Sequence, residues 1–271
     1  MKRRIDAVSG PGPESRVERD RAASAAPTVI AAVKMAEGYL AGRGVSSPRL
    51  SAEHLLAKIM DCERLDLYLR FDEILTAETL ADYRSYLKRR GEHYPLQYLL
   101  GSAEFYSRHF EVGEGVFIPR PETELLVEWI EEIFEGRSDV TFIEFGVGSG
   151  VIAGSLACGN PGWRGFAFDR SIRAAGLSMS NLVSLGVSGR VGLFVAETFG
   201  AVAAGAKFDL LVSNPPYIPT STIPGLDREV SVLEDSAAID GGHDGLCFYP
   251  RLAEAGARLL VPGGVLALEI G

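Results

Sequence analysis

The sequence is poor in the residues and runs that build metal sites, disulfide frameworks and membrane spans. Its 271 residues include three cysteines and four histidines, and neither set has the spacing of metal ligands. The scattered cysteines, Cys62, Cys158 and Cys247, indicate reduced thiols in a cytoplasmic protein. No apolar run reaches the roughly 18 residues of a membrane span. We therefore expect neither a bound metal nor a membrane partner.

Positive charge is also scarce. The chain has 27 Lys and Arg against 36 Asp and Glu, which gives a formal net charge of -9. A general nucleic-acid binder needs a basic face, so we expect no direct nucleic-acid partner. The hydrophobic content of 46% is that of an ordinary globular protein. The length allows one large domain, or one of ordinary size with a smaller one.

Local composition divides the chain into four predicted segments. Residues 1–27 hold several arginines, glycines and prolines, which predicts a disordered tail. Residues 28–90 show the periodicity of short amphipathic helices and predict a small helical domain. Residues 91–121 alternate glycines, prolines and aromatics, which predicts a β-hairpin linker. Residues 122–271 carry the pattern of a cofactor-binding domain.

Strand-like apolar runs alternate with helical stretches throughout residues 122–271. This alternation predicts a doubly wound, mostly parallel α/β sheet of Rossmann-like type, with helices on both faces. Residues 218–246 are predicted to be a long loop over the active edge of the sheet. The first helix, predicted over Glu122–Phe134, has a predicted buried stripe. The stripe consists of Leu125, Leu126, Trp129, Ile130 and Ile133.

A glycine-rich turn, Glu144-Phe145-Gly146-Val147-Gly148-Ser149-Gly150, follows the first predicted strand. Its spacing departs from the G-x-G-x-x-G fingerprint of NAD sites, and it has no basic residue to meet a pyrophosphate. Asp169 and Glu197 end the next two strands, where carboxylates suit ribose hydroxyls and an adenine edge. Glu144 is a candidate neighbour of a ligand ammonium group. The pattern favours a phosphate-free nucleoside such as S-adenosyl-L-methionine (SAM). The alternative for each acid alone is a solvated strand end.

The strand Phe208–Ser213 runs into Asn214-Pro215-Pro216-Tyr217. Proline has a carbonyl but no N–H, so this loop offers an amide and carbonyls with few competing donors. Such a loop can accept hydrogen bonds from the NH2 of a planar substrate, and Tyr217 can lie flat against that substrate. A proline-stiffened turn without a ligand is the alternative for the tetrapeptide alone.

Several separate stretches within residues 28–271 together carry a family resemblance. They are Tyr94-Pro95-Leu96-Gln97-Tyr98 with Gly101 and Glu104-Phe105, Val116-Phe117-Ile118-Pro119-Arg120-Pro121-Glu122-Thr123-Glu124, Asn214-Pro215-Pro216-Tyr217, Asp227-Arg228-Glu229-Val230, and Gly241-Gly242-His243-Asp244-Gly245-Leu246. The chain resembles the release-factor glutamine methyltransferases (the PrmC/HemK family), which are class I SAM-dependent methyltransferases. Adenine-N6 DNA methyltransferases share the Asn-Pro-Pro-Tyr loop, whereas the Arg-Pro-Glu-Thr-Glu stretch is the discriminating one.

This resemblance implies a glutamine N5-methyltransferase that uses SAM and acts on the Gly-Gly-Gln motif of a class 1 peptide chain release factor. The implied SAM-binding residues are Gly146, Val147, Gly148, Ser149, Gly150, Asp169, Glu197, Thr198 and Asn214. The implied substrate-binding residues are Asn214, Pro215, Pro216 and Tyr217, of which Asn214, Pro215 and Tyr217 are the catalytic candidates. The helical segment would help to dock the release factor, and we expect a monomer.

The sequence departs from the family pattern in three places. Glu197 stands where Asp is common, and Asp235 follows Glu234 where proline is usual. The chain ends at Gly271, whereas the family continues with a helix and two more strands. We therefore expect the last strands of the fold to be missing. Arg120 is predicted to be a structural anchor between the hairpin and the sheet domain, and a catalytic role for Arg120 and Glu122 is the alternative.

The predicted mechanism is positional. The Asn214 side-chain oxygen and the Pro215 carbonyl would each accept one N–H of the target glutamine, and this would align its nitrogen with the methyl donor. Two other functions stay open. An adenine-N6 nucleic-acid methyltransferase would use the same loop and would need a basic, aromatic-lined groove. A truncated, inactive relic would bind no SAM.

Overall fold

The computed structural model describes residues 26–271. The chain forms two compact units, one ending at Glu92 and the other spanning His93–Gly271. The predicted tail, residues 1–27, lies outside the described residues except for its last two. Within residues 26–271, no helix combines the length and apolarity needed to cross a membrane. The same part of the chain holds no cluster of His, Cys, Asp and Glu side chains that could bind a metal.

The first unit is helical. Its elements are α1 (Val29–Ala41), α2 (Pro48–Ile59), α3 (Asp66–Leu69) and α4 (Ala77–Gly91). The Thr28 and Thr76 hydroxyls cap α1 and α4 by accepting backbone N–H groups three residues further on. Pro48 begins α2, where its missing N–H costs no helical hydrogen bond. The core of this unit includes Val33, Leu40, Leu55, Leu56 and Tyr83.

A buried carboxylate joins α2 to the segment that follows it. Glu53 is 3% exposed and accepts hydrogen bonds from Arg49 Nε (2.9 Å), Arg64 Nη1 (2.8 Å) and the Tyr68 hydroxyl (2.6 Å). Burial by itself would raise the pKa of Glu53, but the three donors outweigh burial and lower the pKa below its usual value. The ionised form of Glu53 is therefore part of the folded state of this unit.

The second unit contains a hairpin and a larger sheet. Its elements are α5 (Leu96–Leu100), β1 (Ser102–Phe105), β2 (Arg108–Glu111), α6 (Glu122–Ile133), β3 (Thr141–Phe145), α7 (Val151–Gly159), β4 (Arg164–Asp169), α8 (Ile172–Ser184), β5 (Val191–Val195), β6 (Phe208–Ser213), α9 (Arg228–Leu233), α10 (Tyr249–Leu259) and β7 (Leu260–Leu268). Strands β1 and β2 pair antiparallel. The other five strands pair in parallel in the order β5-β4-β3-β6-β7. The predicted Rossmann-like parallel sheet is confirmed.

Helices flank both faces of the large sheet, which explains why its strands read as continuous apolar runs. On β3, Phe142 packs with α6, α7 and α8, whereas the next residue, Ile143, packs with α10 on the opposite face. Neighbouring Leu210 and Leu211 on β6 divide between the two faces in the same way. All four of these side chains are fully buried.

The buried face of α6 differs from the predicted one. Leu126, Val127 and Ile130 are buried, whereas Leu125, Trp129 and Ile133 are 50%, 59% and 59% exposed. The prediction was wrong for these last three residues. The helix carries two adjacent apolar stripes, and only one of them can face the sheet. The rotation of α6 against the sheet selects the stripe, and the periodicity of the sequence does not encode that rotation.

The strand order places a topological switch beside β3. The chain crosses from β3 to β4 and β5 on one side, and to β6 and β7 on the other. Ligands of open α/β sheets bind at such a switch, outside the carboxyl ends of the strands. The predicted loop 218–246 contains α9 and two short 3-10 turns, Ile223–Gly225 and Ser236–Ala238.

Candidate functional site

A cavity lies at the carboxyl ends of β3, β4, β5 and β6. Its wall includes Gly146–Ser149 after β3, Asp169 at the end of β4, Glu197 after β5, and Asn214–Tyr217 after β6. Residues from four separate turns thus meet in one place because parallel strands end at the same edge of the sheet.

Bare backbone forms the cavity wall at the glycine turn. Gly146 and Gly148 have φ values of +73° and +54°, a region that side chains other than glycine rarely adopt. A Cβ atom on either residue would meet no protein atom within 4 Å. The absence of side chains therefore leaves a cradle that a ligand can occupy. Gly150 has a different role, since its Cβ would lie 3.2 Å from Ser178 Oγ of α8.

Two polar side chains of α8 hold this turn in place. The Ser178 hydroxyl donates to the Gly148 carbonyl (2.8 Å), and Asn181 Nδ2 donates to the Ser149 carbonyl (2.8 Å). Asn181 Oδ1 also accepts the Glu111 backbone N–H (2.7 Å), which ties β2 to the same point. Both α8 side chains are buried. The sequence did not single them out. Its only indication of their role is that two polar residues lie one turn apart on an otherwise apolar helix face.

Three of the carboxyl groups that line the cavity differ in burial and in hydrogen bonding. Asp169 is half-buried, and its oxygens accept N–H groups from Gly148 (3.1 Å) and Ser171 (2.8 Å). Glu144 is buried and accepts the Ala153 N–H (3.0 Å). Burial raises the pKa of Glu144 well above its usual value, which favours the neutral acid. Glu197 is exposed to solvent.

The loop after β6 presents an oriented amide. Asn214 Nδ2 donates to Thr123 Oγ1 in the first turn of α6 at 3.0 Å. The Tyr217 hydroxyl donates to Glu269 Oε1 at 3.2 Å. Burial, followed by the neighbouring Glu269, raises the pKa of Tyr217 to about 12, so the phenol stays neutral at physiological pH. Pro215 and Pro216 also line the cavity and contribute no backbone N–H.

Two of the predicted cofactor-binding residues lie outside the cavity wall. Gly150 is the N-cap residue of α7 and packs towards α8. The Thr198 hydroxyl accepts the Gly200 N–H (3.2 Å) in a 3-10 turn. Other lining residues were missed by the sequence analysis, namely Phe117, Thr123, Arg170, Phe248 and Arg251. Thr123 could have been predicted as a site residue, since it belongs to the Arg-Pro-Glu-Thr-Glu stretch.

An ion pair holds the segment 218–246 beside the cavity. Arg120 donates to Glu234, whose side chain is 1% exposed, and the Arg120 guanidinium lies 4.8 Å from the centre of the Phe117 ring. Burial raises the pKa of Glu234, and Arg120 opposes that shift. The neighbouring Asp235 and Ala237 line the cavity. Arg120 was predicted to anchor the hairpin to the sheet domain, and the side-chain partner found for it lies in the segment that covers the site.

The chain is similar to two protein families and to curated relatives. A family model for the PrmC N-terminal domain matches residues 31–101, and one for the methyltransferase small domain matches residues 118–223. The release factor glutamine methyltransferase of Geobacter sulfurreducens is 40% identical over 244 residues, which cover 90% of this chain and 84% of the relative.

A second relative and one solved structure extend the comparison. The release factor glutamine methyltransferase of Moorella thermoacetica is 44% identical over 232 residues, covering 86% of this chain and 81% of the relative. A SAM-dependent methyltransferase from Thiobacillus denitrificans, solved with S-adenosyl-L-homocysteine, is 19% identical and covers 55% of this chain and 48% of its own, with a TM-score of 0.37. The extent of the similarity to the two curated relatives shows that this chain belongs to the release factor glutamine methyltransferase family.

Proposed function

We propose that this protein transfers a methyl group from SAM to the side-chain amide nitrogen of the glutamine in the Gly-Gly-Gln motif of a class 1 peptide chain release factor. The observation that carries the proposal is the meeting of the Asn214–Tyr217 loop and the glycine turn in one cavity. Family membership supports the same reaction, since the curated relatives are named for it.

The cavity suits a phosphate-free nucleoside. The bare backbone at Gly146 and Gly148 leaves room for a ligand, and the Asp169 carboxylate lies beside it. Asp169 is already fixed by two backbone N–H groups, so it is oriented to accept ribose hydroxyl hydrogens. Glu197 would lie near the base. When bound, SAM supplies an electrophilic methyl group on a sulfonium.

The loop after β6 would hold the target amide. A glutamine amide nitrogen is a weak nucleophile because its lone pair is delocalised into the carbonyl. The Asn214 oxygen and the Pro215 carbonyl would each accept one N–H and so fix the plane of the amide. Tyr217 would pack against one face of it. Such alignment can contribute several kcal/mol, on the order of the 7–11 kcal/mol known for well-oriented reactants.

Mass spectrometry tests the proposal directly. The chain is incubated with SAM and an unmethylated class 1 release factor, and the Gly-Gly-Gln peptide is then analysed. We expect a mass gain of one methyl group, with fragment ions that place it on the glutamine side chain. A release factor with glutamate in place of that glutamine is the matched control, since it has no amide nitrogen and should gain nothing.

Two results would contradict the proposal. One is an unmodified motif glutamine at enzyme concentrations equal to those of the release factor. The other is methyl transfer from labelled SAM to adenine in DNA or RNA without transfer to the release factor. The second result would indicate that the same loop binds a flat nucleobase instead of a carboxamide.

A further inference from the structure

We propose that Thr123 is a positioning residue that holds the NH2 end of the Asn214 amide against its hydroxyl, and thereby leaves the amide oxygen for the target glutamine. This inference rests on the proposed function and deepens it. It accounts for a residue of the Arg-Pro-Glu-Thr-Glu stretch that would touch neither the reacting nitrogen nor the methyl group.

The two residues come from distant parts of the chain. Thr123 lies in the first turn of α6 and is 2% exposed, and Asn214 follows the last residue of β6. The distance between Asn214 Nδ2 and Thr123 Oγ1 is 3.0 Å. The Thr123 backbone is itself held, since its N–H donates to the Arg120 carbonyl at 3.1 Å. Both side chains line the same cavity.

The chemistry of an amide makes this orientation important. One end of the Asn214 side chain donates hydrogen bonds and the other accepts them. In the structure the donor end contacts the Thr123 hydroxyl, so the acceptor end is left for a ligand. The target NH2 is a donor and needs an acceptor. A flipped Asn214 amide would face it with a second NH2 and lose that hydrogen bond.

Threonine suits this role better than serine or valine. Its β-branched side chain has a restricted χ1, so the hydroxyl stays in place once the methyl group is packed. Serine keeps the hydroxyl with more rotamer freedom. Valine keeps the shape and the stiffness but removes the hydrogen-bond partner. The two substitutions therefore separate the hydroxyl from the packing.

A double-mutant cycle tests the inference. Thr123→Val should lower kcat for release-factor methylation about tenfold, while the affinity for S-adenosyl-L-homocysteine, measured by calorimetry, stays within about twofold. Thr123→Ser should restore kcat to within about threefold of the parent protein. In the Asn214→Ala background, Thr123→Val should have no further effect, because the amide that it orients is absent.

A merely structural role predicts something else. Thr123→Val would then lower kcat by the same factor in both backgrounds, and that result would overturn the inference. Retention of the parent kcat by Thr123→Val would overturn it as well.

A second measurement does not depend on turnover. In NMR spectra of the protein without ligand, the Asn214 side-chain NH2 should exchange with water more slowly in the parent protein and in Thr123→Ser than in Thr123→Val. Equal exchange rates in all three proteins would refute the positioning role. Failure of the parent protein to methylate the release factor, with slowed exchange intact, would instead refute the proposed function alone.

Discussion

At the scale of single residues, the site depends on polar side chains that are held by hydrogen bonds within the protein. Part of each side chain stays accessible to a ligand. Asn214 donates to Thr123, and Asp169 accepts two backbone N–H groups. Each side chain is thereby fixed before a ligand arrives. Fixed polar groups lose little entropy on binding, which is the usual benefit of a preorganised site.

Replacement of Asn214 by alanine tests the proposed substrate contact. We expect methylation to fall at least about tenfold with SAM affinity within a few-fold of the parent, because the lost acceptor would contact the glutamine amide. Steady-state kinetics and calorimetry measure the two quantities. Asn160→Ala is a suitable control, since Asn160 is a partly buried asparagine outside the cavity wall. Unchanged turnover in the Asn214 variant would rule out the assigned role.

Replacement of Glu53 by glutamine tests a pH-dependent contribution to stability. The folded-state pKa of Glu53 lies below its usual value of 4.5. Its ionised form therefore stabilises the fold above about pH 4.5, and the contribution is lost as the pH falls through the lower folded-state pKa. At pH 7 we expect Glu53→Gln to cost about 1–3 kcal/mol of unfolding free energy. Urea unfolding at pH 7 and pH 3.5 measures the difference.

The difference in unfolding free energy between the parent and the Glu53 variant should shrink as the pH is lowered. An exposed acid of α4, replaced in Glu78→Gln, provides the control and should change stability little at either pH. A difference that stays constant from pH 7 to pH 3.5 would show that packing, and not charge, makes Glu53 important.

At the scale of secondary-structure elements, contacts from a neighbouring helix fix the conformation of the turn between β3 and α7. Its glycines allow the backbone conformation, but Ser178 and Asn181 of α8 bind its carbonyls and fix one conformation. The same Asn181 binds both backbone groups of Glu111 on β2. The glycine turn, a helix and the hairpin therefore form one hydrogen-bonded unit.

Gly148→Ala should weaken SAM binding by at least about tenfold. An L-residue at φ +54° carries left-handed strain of about 1–2 kcal/mol, and its methyl group would occupy the open space beside the turn. Calorimetry with SAM measures the loss. Gly176→Ala is the matched control, because Gly176 lies exposed within α8 with no atom within 4 Å of its Cβ position.

The control substitution should leave SAM affinity unchanged and stabilise the helix by about 0.5–1 kcal/mol. Equal SAM affinity in the Gly148 and Gly176 variants would show that the open space beside Gly148 is not occupied by the cofactor.

At the scale of the whole molecule, long-range pairs decide where irregular segments lie. Arg120 and Glu234 are 114 positions apart, and their ion pair joins the start of α6 to the segment 218–246. Glu234 is almost fully buried, and its Oε2 has no partner among the described residues. A buried carboxylate that loses its cationic partner is strongly destabilising.

Arg120→Ala should therefore loosen the segment around α9. We expect amide hydrogen exchange in residues 228–240 to accelerate at least about tenfold. If the whole second unit is destabilised, its free energy of unfolding should fall by about 3–5 kcal/mol. Hydrogen exchange read by mass spectrometry locates the effect. Arg228→Ala, at an exposed position of α9, removes the same charge without that partner. Exchange that is equally fast in both variants would rule out the ion pair as the anchor.

The sequence by itself determined the features that depend on local order along the chain. Strand–helix alternation indicated the parallel sheet, and the stretches around Arg-Pro-Glu-Thr-Glu and Asn-Pro-Pro-Tyr indicated the family. Both predictions are confirmed by the strand pairing and by the curated relatives. Such features can be predicted from the sequence because they arise from residues close together in the chain, whose periodicity and turn chemistry act locally.

Only the tertiary structure decided which distant residues meet and which helix face is buried. Thr123 contacts Asn214 across 91 positions, and Asn181 binds Glu111 across 70. On α6, packing against the sheet buried Ile130 and left Trp129 exposed, although both belonged to the predicted stripe. These outcomes depend on strand order and helix rotation, which are set by the packing of the whole unit, so no local pattern in the chain encodes them.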